Sequence, residues 1–182
     1  CTEELFEGNS KKDFNLSYWI NPDRGELFFA SKVVLLEGAT EKTVFPMLAR
    51  QLGIFRYEYT LIDCGSKDNI PLYIKLLNKF SIPYVAVYDQ DHQAHKSADA
   101  IASADTLTRK IEEEINSDLG SSVVLVNDIE EELGLMLSGS SKPYIALNHI
   151  TSECFNVSAS MIEKIRYIYD AVAYLVNKSD LK

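Results

Sequence analysis

Four short apolar runs, each followed by acidic residues and parted by helix-like segments, constrain this chain more than any other feature. Val33-Val34-Leu35-Leu36 lies between Lys32 and Glu37, as suits a strand buried on both faces of a parallel sheet. Tyr57 to Asp63, Pro83 to Tyr88 and Val123 to Val126 repeat the pattern. The intervening segments carry the 3.6-residue period. Val44, Leu48 and Leu52 step by four and stop at Gly53. Pro46 inside that run requires the helix to start near Phe45 or to bend. Asp68 or Asn69 is expected to cap a helix reaching Phe80. After a polar loop over 92–102, Leu107, Ile111, Ile115 and Leu119 form a stripe. A last helix spans Ala159 to Asn177, with Ile162, Ile165, Tyr169, Val172 and Val176 on one face. Alternation of this kind predicts an α/β fold with a mostly parallel sheet of about four strands flanked by helices. Residues 1–26, with Trp19 and an Asn21-Pro22-Asp23 turn signal, read as a lead-in. The main domain is expected over 27–150, and a C-terminal helical segment over 151–182.

At 182 residues the chain suits one ordinary domain with a small addition and is too short for an eight-unit barrel. With 46% hydrophobic and 25% charged residues it is not a disordered segment. No apolar stretch approaches the ~20 residues that cross a bilayer. Cys1, Cys64 and Cys154 are too few and too scattered for a disulfide framework or a zinc motif, so a reducing, cytoplasmic setting is expected. The net charge of −9 argues against gripping nucleic acid by overall charge, and permits an acidic patch that binds cations. The chain begins at Cys1 with no Met and no signal peptide, and reads as an excised fragment.

Sites in open α/β sheets form at the carboxyl ends of the strands. Run one ends in Glu37 with Glu41 four residues on, run three in Asp89 and Asp91, run four in Asp128 and Glu130; run two ends in Asp63, then Gly65-Ser66-Lys67. Residues two apart in extended chain point the same way, so Asp89 with Asp91, and Asp128 with Glu130, are expected to pair. Gly38 between Glu37 and Glu41 allows a tight turn. Each like-charge contact at 4 Å costs on the order of 4 kcal/mol at an effective dielectric of 20. The cluster must therefore take up protons or bind cations. Hard oxygen ligands without His or Cys favour Mg²⁺ or Mn²⁺, with Ca²⁺ as a non-productive substitute. Two such ions suit phosphodiester hydrolysis.

Any one of these acids alone reads more readily as a helix cap or solvated loop residue. His92 and His95 read as a polar loop, His149 as structural, Glu131 and Glu132 as a solvated face. Lys67 alone reads as surface. Lys142, after the Ser138–Ser141 loop, is the lysine placed to serve an acidic site. No phosphate-binding loop for ATP and no aromatic ladder for stacking bases is present.

The run Phe28-Phe29-Ala30-Ser31-Lys32-Val33-Val34-Leu35-Leu36-Glu37-Gly38-Ala39-Thr40-Glu41-Lys42 resembles the Toprim segment of OLD-family (overcoming lysogenization defect) nucleases. So do Gly65-Ser66-Lys67-Asp68-Asn69-Ile70, Asp89-x-Asp91 and Asp128-Ile129-Glu130, across about 26–147. The resemblance implies a divalent-metal-dependent DNA endonuclease, with Glu37, Glu41, Asp89, Asp91, Asp128 and Glu130 holding two metal ions. Glu37 or Glu41 would act as general base. Lys142, or less directly Lys164, would steady the scissile phosphate, and Lys67 and Lys142 would contact DNA. It further implies an upstream ABC-type ATPase, a homo-oligomeric intact protein and a part in antiviral defence or DNA processing. The gap between Asp91 and Asp128 is short, so a helical insert of relatives is expected to be reduced. Competing readings are a phosphoaspartate-type phosphatase, which leaves Glu37 and Glu41 unexplained, a receiver-like module, which leaves Asp91, Asp128 and Glu130 unexplained, and a catalytically vestigial Toprim assembly domain. The Ile162–Val176 face is expected to pack into the core, with self-assembly as its alternative use.

Overall fold

The computed structural model describes residues 30, 32–135 and 141–179, with side chains as far as residue 169. The lead-in over 1–26 with Trp19, the Ser138–Ser141 loop before Ser141, and the side chains of Val172 and Val176 lie outside the described residues. The chain divides into two units, Cys1–Ala30 and Ser31–Lys182; the second carries the whole fold described below.

Four parallel strands form one sheet in the order β2-β1-β3-β4: β1 Val33–Leu36, β2 Thr60–Asp63, β3 Tyr84–Asp89 and β4 Gly120–Leu125. All four residues of β1 and all six of β3 are buried. The unbroken apolar runs record that two-sided burial. β2 is shorter than its apolar run. Tyr57 is exposed, and the chain turns through a hydrogen bond from Tyr59 N–H to the Arg56 oxygen. Pairing begins only where Thr60 N–H reaches the Lys32 oxygen beside the start of β1. β4 starts earlier than expected, at Gly120. There Tyr84 of β3 crosses the backbone so closely that an added Cβ would lie 2.2 Å from its ring, which only glycine tolerates.

The helices cover both faces. Helix α1 (Ala39–Gln51) begins well before Phe45 and contains Pro46. Proline there removes one backbone donor, yet Val44, Phe45, Leu48 and Ala49 anchor the helix in the core. A 3₁₀ turn at Lys67–Asn69 leads into α2 (Ile70–Phe80). Helix α3 (Ala98–Glu114) carries Leu107 and Ile111, but the stripe outlives it. Backbone bonds from Leu119 and Gly120 to the Asn116 oxygen form a turn before Leu119. A single-turn α4 (Ile129–Glu132) precedes α5 (Lys142–Ile150), a helix the sequence did not reveal, and α6 (Ala159–Ser179). One sheet face packs Val34, Leu36, Val85, Val87, Val123 and Leu125 against α1, α5 and α6, with Met161, Ile165, Ile168 and Tyr169 of α6 in that core. Of the predicted face, Ile165 and Tyr169 pack inward while Ile162 is only partly buried. The opposite face is covered by α2, which packs on α3.

The strand order carries the chain from β1 outward to β2, then back past β1 to β3 and β4. The reversal falls between β1 and β3, and crevices for ligands open at the carboxyl ends of such neighbours. Glu37 follows β1 directly and Asp89 ends β3. Among the described residues no helix is long and apolar enough to cross a membrane.

Candidate functional site

Because all strands are parallel, Glu37, Asp63, Asp89 and Asp128 leave the sheet at one edge. The main-chain N–H of Asp89 donates to Glu37 Oε2 at 3.2 Å, tying the two sides of the crevice. Glu41 enters in the first turn of α1 and is 4% exposed. Gly38 caps that helix in extended backbone, φ −151°, a conformation open to any residue. The glycine supplies room: a Cβ there would meet Glu41 Oε2 at 3.4 Å.

Periodicity does not explain the other two pairs. Asp91 sits at φ +67°, its N–H bonded to the oxygen of Asn127, itself at φ +59°. The chain has left extended geometry by Asp91, so the two-residue alternation lapses. Asp128 is the N-cap of α4, its Oδ1 accepting from Glu131 N–H at 2.7 Å, and Glu130 lies inside that turn. A helix cap joins these two acids, not a strand face.

Burial and crowding perturb the acids strongly. Burial first, then the carboxylates of Glu37, Glu41, Asp91 and Asp128, push the Asp89 carboxyl up to about 9. Burial, then Glu37, Glu130 and Asp63, push Glu41 up to about 7, against the lowering effect of its own backbone hydrogen bond. Burial also raises Glu37, partly offset by the Asp89 N–H. The carboxylates of Glu37, Glu41, Asp91, Asp128 and Glu130 each act on at least one of these three groups, so the strand-end acids form one electrostatic cluster.

Basic and amide groups already answer part of that charge. Lys67, 4% exposed, donates from Nζ to the Asp89 main-chain oxygen at 2.5 Å and to Asp91 Oδ2 at 3.4 Å. It is no surface lysine, and a buried ammonium is not presented to a nucleic-acid backbone. Lys96 takes the other oxygen, Asp91 Oδ1, at 2.6 Å. Gln93 donates from Nε2 to Asp128 Oδ2 at 2.7 Å. Lys142 pairs with Glu130 Oε1 at 3.2 Å. Lys164 pairs with Glu132, whose Oε1 also accepts from Val126 N–H. Glu132 is therefore a buried partner, where a solvated residue was expected. His92 bonds Asp105, and His149 bonds the Leu133 oxygen as a structural residue. Sequence reasoning missed Gln93 and Lys96. Their only signal is their place in the loop that follows Asp91.

Among the described residues, no group of three or more His, Cys, Asp or Glu stands gathered in an arrangement that holds a metal ion as it is. Asp91, Asp128 and Glu130 are turned to lysine, amide or backbone donors. Among the buried side-chain oxygens without a hydrogen-bond partner, two belong to this cluster, Asp89 Oδ1 and Gln93 Oε1. A buried unpaired acceptor costs about 1–3 kcal/mol. The donor set is all oxygen, as Mg²⁺ and Mn²⁺ prefer. The chemistry of the cluster thus fits a hard divalent cation.

Parts of this chain are similar to known proteins. Residues 28–91 match the model of the overcoming lysogenization defect protein-like TOPRIM domain. An OLD nuclease of Thermus scotoductus is 27% identical over 146 residues, covering 75% of this chain and 28% of that protein. The chain thus spans under a third of that relative's length. Two structures of the C-terminal region of the Xanthomonas campestris pv. campestris OLD protein, phased with platinum and with mercury, superpose with TM-scores of 0.53 and 0.51. Their identities are 21% and 19%; the matches cover 82% and 81% of this chain and 97% and 98% of theirs. At such identity the likeness concerns the fold, an α/β Toprim sheet flanked by helices.

Proposed function

We propose that this chain, whose residues 28–91 belong to an OLD-like Toprim domain, is the nuclease part of an ATPase–nuclease that cuts DNA with divalent metal. The observation that carries the reading is the buried carboxylate cluster, with Asp89 held protonated to about 9 and Glu41 to about 7. Perturbation of this size in a strand-end crevice marks functional sites. Glu37, Glu41, Asp89, Asp91, Asp128 and Glu130 would hold two ions, Mg²⁺ or Mn²⁺. When bound, such ions lower the pKa of a water to give hydroxide and stabilise the leaving 3′ oxygen.

The protein's own groups do the rest. Glu41, poised near neutrality, accepts a proton at its carboxylate, Glu37 being the other candidate base. Lys67 fixes the Asp89–Asp91 segment from below. Lys142, half-exposed beside Glu130, offsets charge on the phosphate under attack. Remaining DNA affinity would come from an upstream ABC-type ATPase and from homo-oligomeric assembly of a longer protein. A reducing cytoplasmic setting belongs to the same reading, as does a role in antiviral defence or DNA processing.

Supercoiled plasmid incubated with Mg²⁺ or Mn²⁺, beside Asp89→Ala and an EDTA control, tests the proposal. Nicking or linearisation only by the parent with metal is expected. Equal cutting by Asp89→Ala overturns the site. Calorimetric titration separates the vestigial alternative, which predicts no Mn²⁺ binding.

A further inference from the structure

Asp91 carries an ammonium on each carboxylate oxygen: Lys96 Nζ at 2.6 Å from Oδ1 and Lys67 Nζ at 3.4 Å from Oδ2. With an ammonium on each oxygen, a cation approaching Asp91 meets charge repulsion from whichever lysine stays in place. The two lysines differ in how readily they leave. Lys67 is 4% exposed, bonds the Asp89 oxygen at 2.5 Å and lies 5.5 Å from the centre of the Tyr88 ring. Leaving would strand a buried ammonium, which is costly. Lys96 is 28% exposed, and its ammonium has Asp91 as its ion-pair partner.

The backbone beneath Lys96 is pinned on both sides. Its N–H bonds the Gln93 oxygen, His92 bonds Asp105 of α3, and the Ser97 hydroxyl caps α3 by accepting from Ala100 N–H. Any movement is therefore a rotation of the flexible four-carbon stem, with no loop opening required. Lys96 makes the shorter contact to Asp91 but is the more exposed of the two, and a divalent cation, with twice the charge of an ammonium, would compete with it for the carboxylate.

We propose that Lys96 is a partner-switching cation that neutralises Asp91 when the site holds no divalent ion and turns to a backbone phosphate of the nucleic acid when an ion takes Asp91. This rests on the metal-dependent nuclease reading above. Lys67 stays in place throughout, so the exchange is ordered. The released ammonium then stands beside a cation-filled site, where the nearest strong acceptor on a bound strand is a phosphate oxygen.

Amine acetylation read by mass spectrometry tests the exchange on the whole chain. Saturating Mg²⁺ is expected to raise the rate at Lys96 several-fold over EDTA, while exposed Lys79 and Lys110 keep their rates. Calorimetry with Mn²⁺ on the same protein reports whether an ion binds. Ion binding with an unchanged Lys96 rate overturns the exchange and leaves the nuclease reading standing. No ion binding overturns both. For the phosphate half, a short fluorescent duplex is titrated in Ca²⁺ at several salt concentrations. Lys96→Met is expected to lower the log–log salt slope by about one. An unchanged slope overturns that half.

Discussion

Lys67, in the turn after β2, donates to the main-chain oxygen of Asp89 at the end of β3, 2.5 Å away. β1 lies between those strands, so this one ammonium reaches across its carboxyl end and joins both sides of the crevice. It also faces Asp91 Oδ2 at 3.4 Å. Lys67→Met keeps an apolar stem of similar length and removes the charge. Asp91 is partly exposed and keeps Lys96, so the main loss is the buried Asp89 oxygen left without its donor, about 1–3 kcal/mol. For a chain of this size that corresponds to a fall in melting temperature of roughly 2–12 °C. Thermal melting in EDTA checks it, and a variant that melts with the parent would show that Lys67 is dispensable.

Asp89→Asn separates fold from function. Burial and four neighbouring carboxylates keep the Asp89 carboxyl protonated up to about 9, and the amide mimics that neutral form. The variant is therefore expected to melt at or above the parent temperature in EDTA at neutral pH. Its Mn²⁺ affinity should fall by at least the 10–100-fold typical of weaker, outer-sphere changes, with plasmid nicking lost. Retained Mn²⁺ affinity in calorimetry would remove Asp89 from the ligand set.

The fold was legible wherever one strand's burial is written in its own residues. Val33–Leu36 and Tyr84–Tyr88 are apolar throughout because both faces are covered, and their ends placed Glu37 and Asp89 at one edge. What depends on distant partners was not legible. Gly65-Ser66-Lys67-Asp68-Asn69 looks solvated, and Lys67 is buried only because Asp89 and Asp91 arrive from β3. Helix α5 escaped notice because only Ala146 and Ile150 of its nine residues are buried, too few for a stripe. The turn at Asp91 uses a left-handed, non-glycine residue, which leaves no signature in composition.

Raised carboxyl pKa values give stability a definite sign with pH. Asp89, ordinarily near 3.8, stays protonated to about 9 in the fold, and Glu41, ordinarily near 4.5, to about 7. The unfolded chain gives up these protons first, so the folded form binds more of them between the two values. Stability without divalent ions is therefore full below about pH 4 for these two groups, and is lost as pH rises, through about 7 for Glu41 and about 9 for Asp89. Other groups titrate too, so the reading is differential: melting of the parent in EDTA should fall from pH 5 to 9 more steeply than melting of Asp89→Asn. Binding of Mn²⁺ at neutral pH should release protons. Titrations in buffers of different ionisation enthalpy report that release, and equal apparent heats in all buffers would contradict it.

Two lysines compete for the phosphate role, and their surroundings tell them apart. Lys142 is 39% exposed and holds Glu130 Oε1 at 3.2 Å, leaving donors free toward solvent. Lys164 is 16% exposed, pinned by Glu132 and by Ser160 Oγ at 3.0 Å. Removing Lys142 takes away charge stabilisation at the reacting phosphate, a loss of about 10²–10³ in rate by analogy with other transition-state donors. It also leaves Glu130, 9% exposed, without its cation, so melting temperature should fall somewhat, and cutting is compared at a temperature where the variant is folded. Removing Lys164 leaves the buried Glu132 without its cation and should lower the melting temperature. Lys142→Ala and Lys164→Ala are compared in the plasmid assay and by thermal melting. Loss of cutting in Lys164→Ala with normal melting, and normal cutting in Lys142→Ala, would transfer the phosphate role to Lys164.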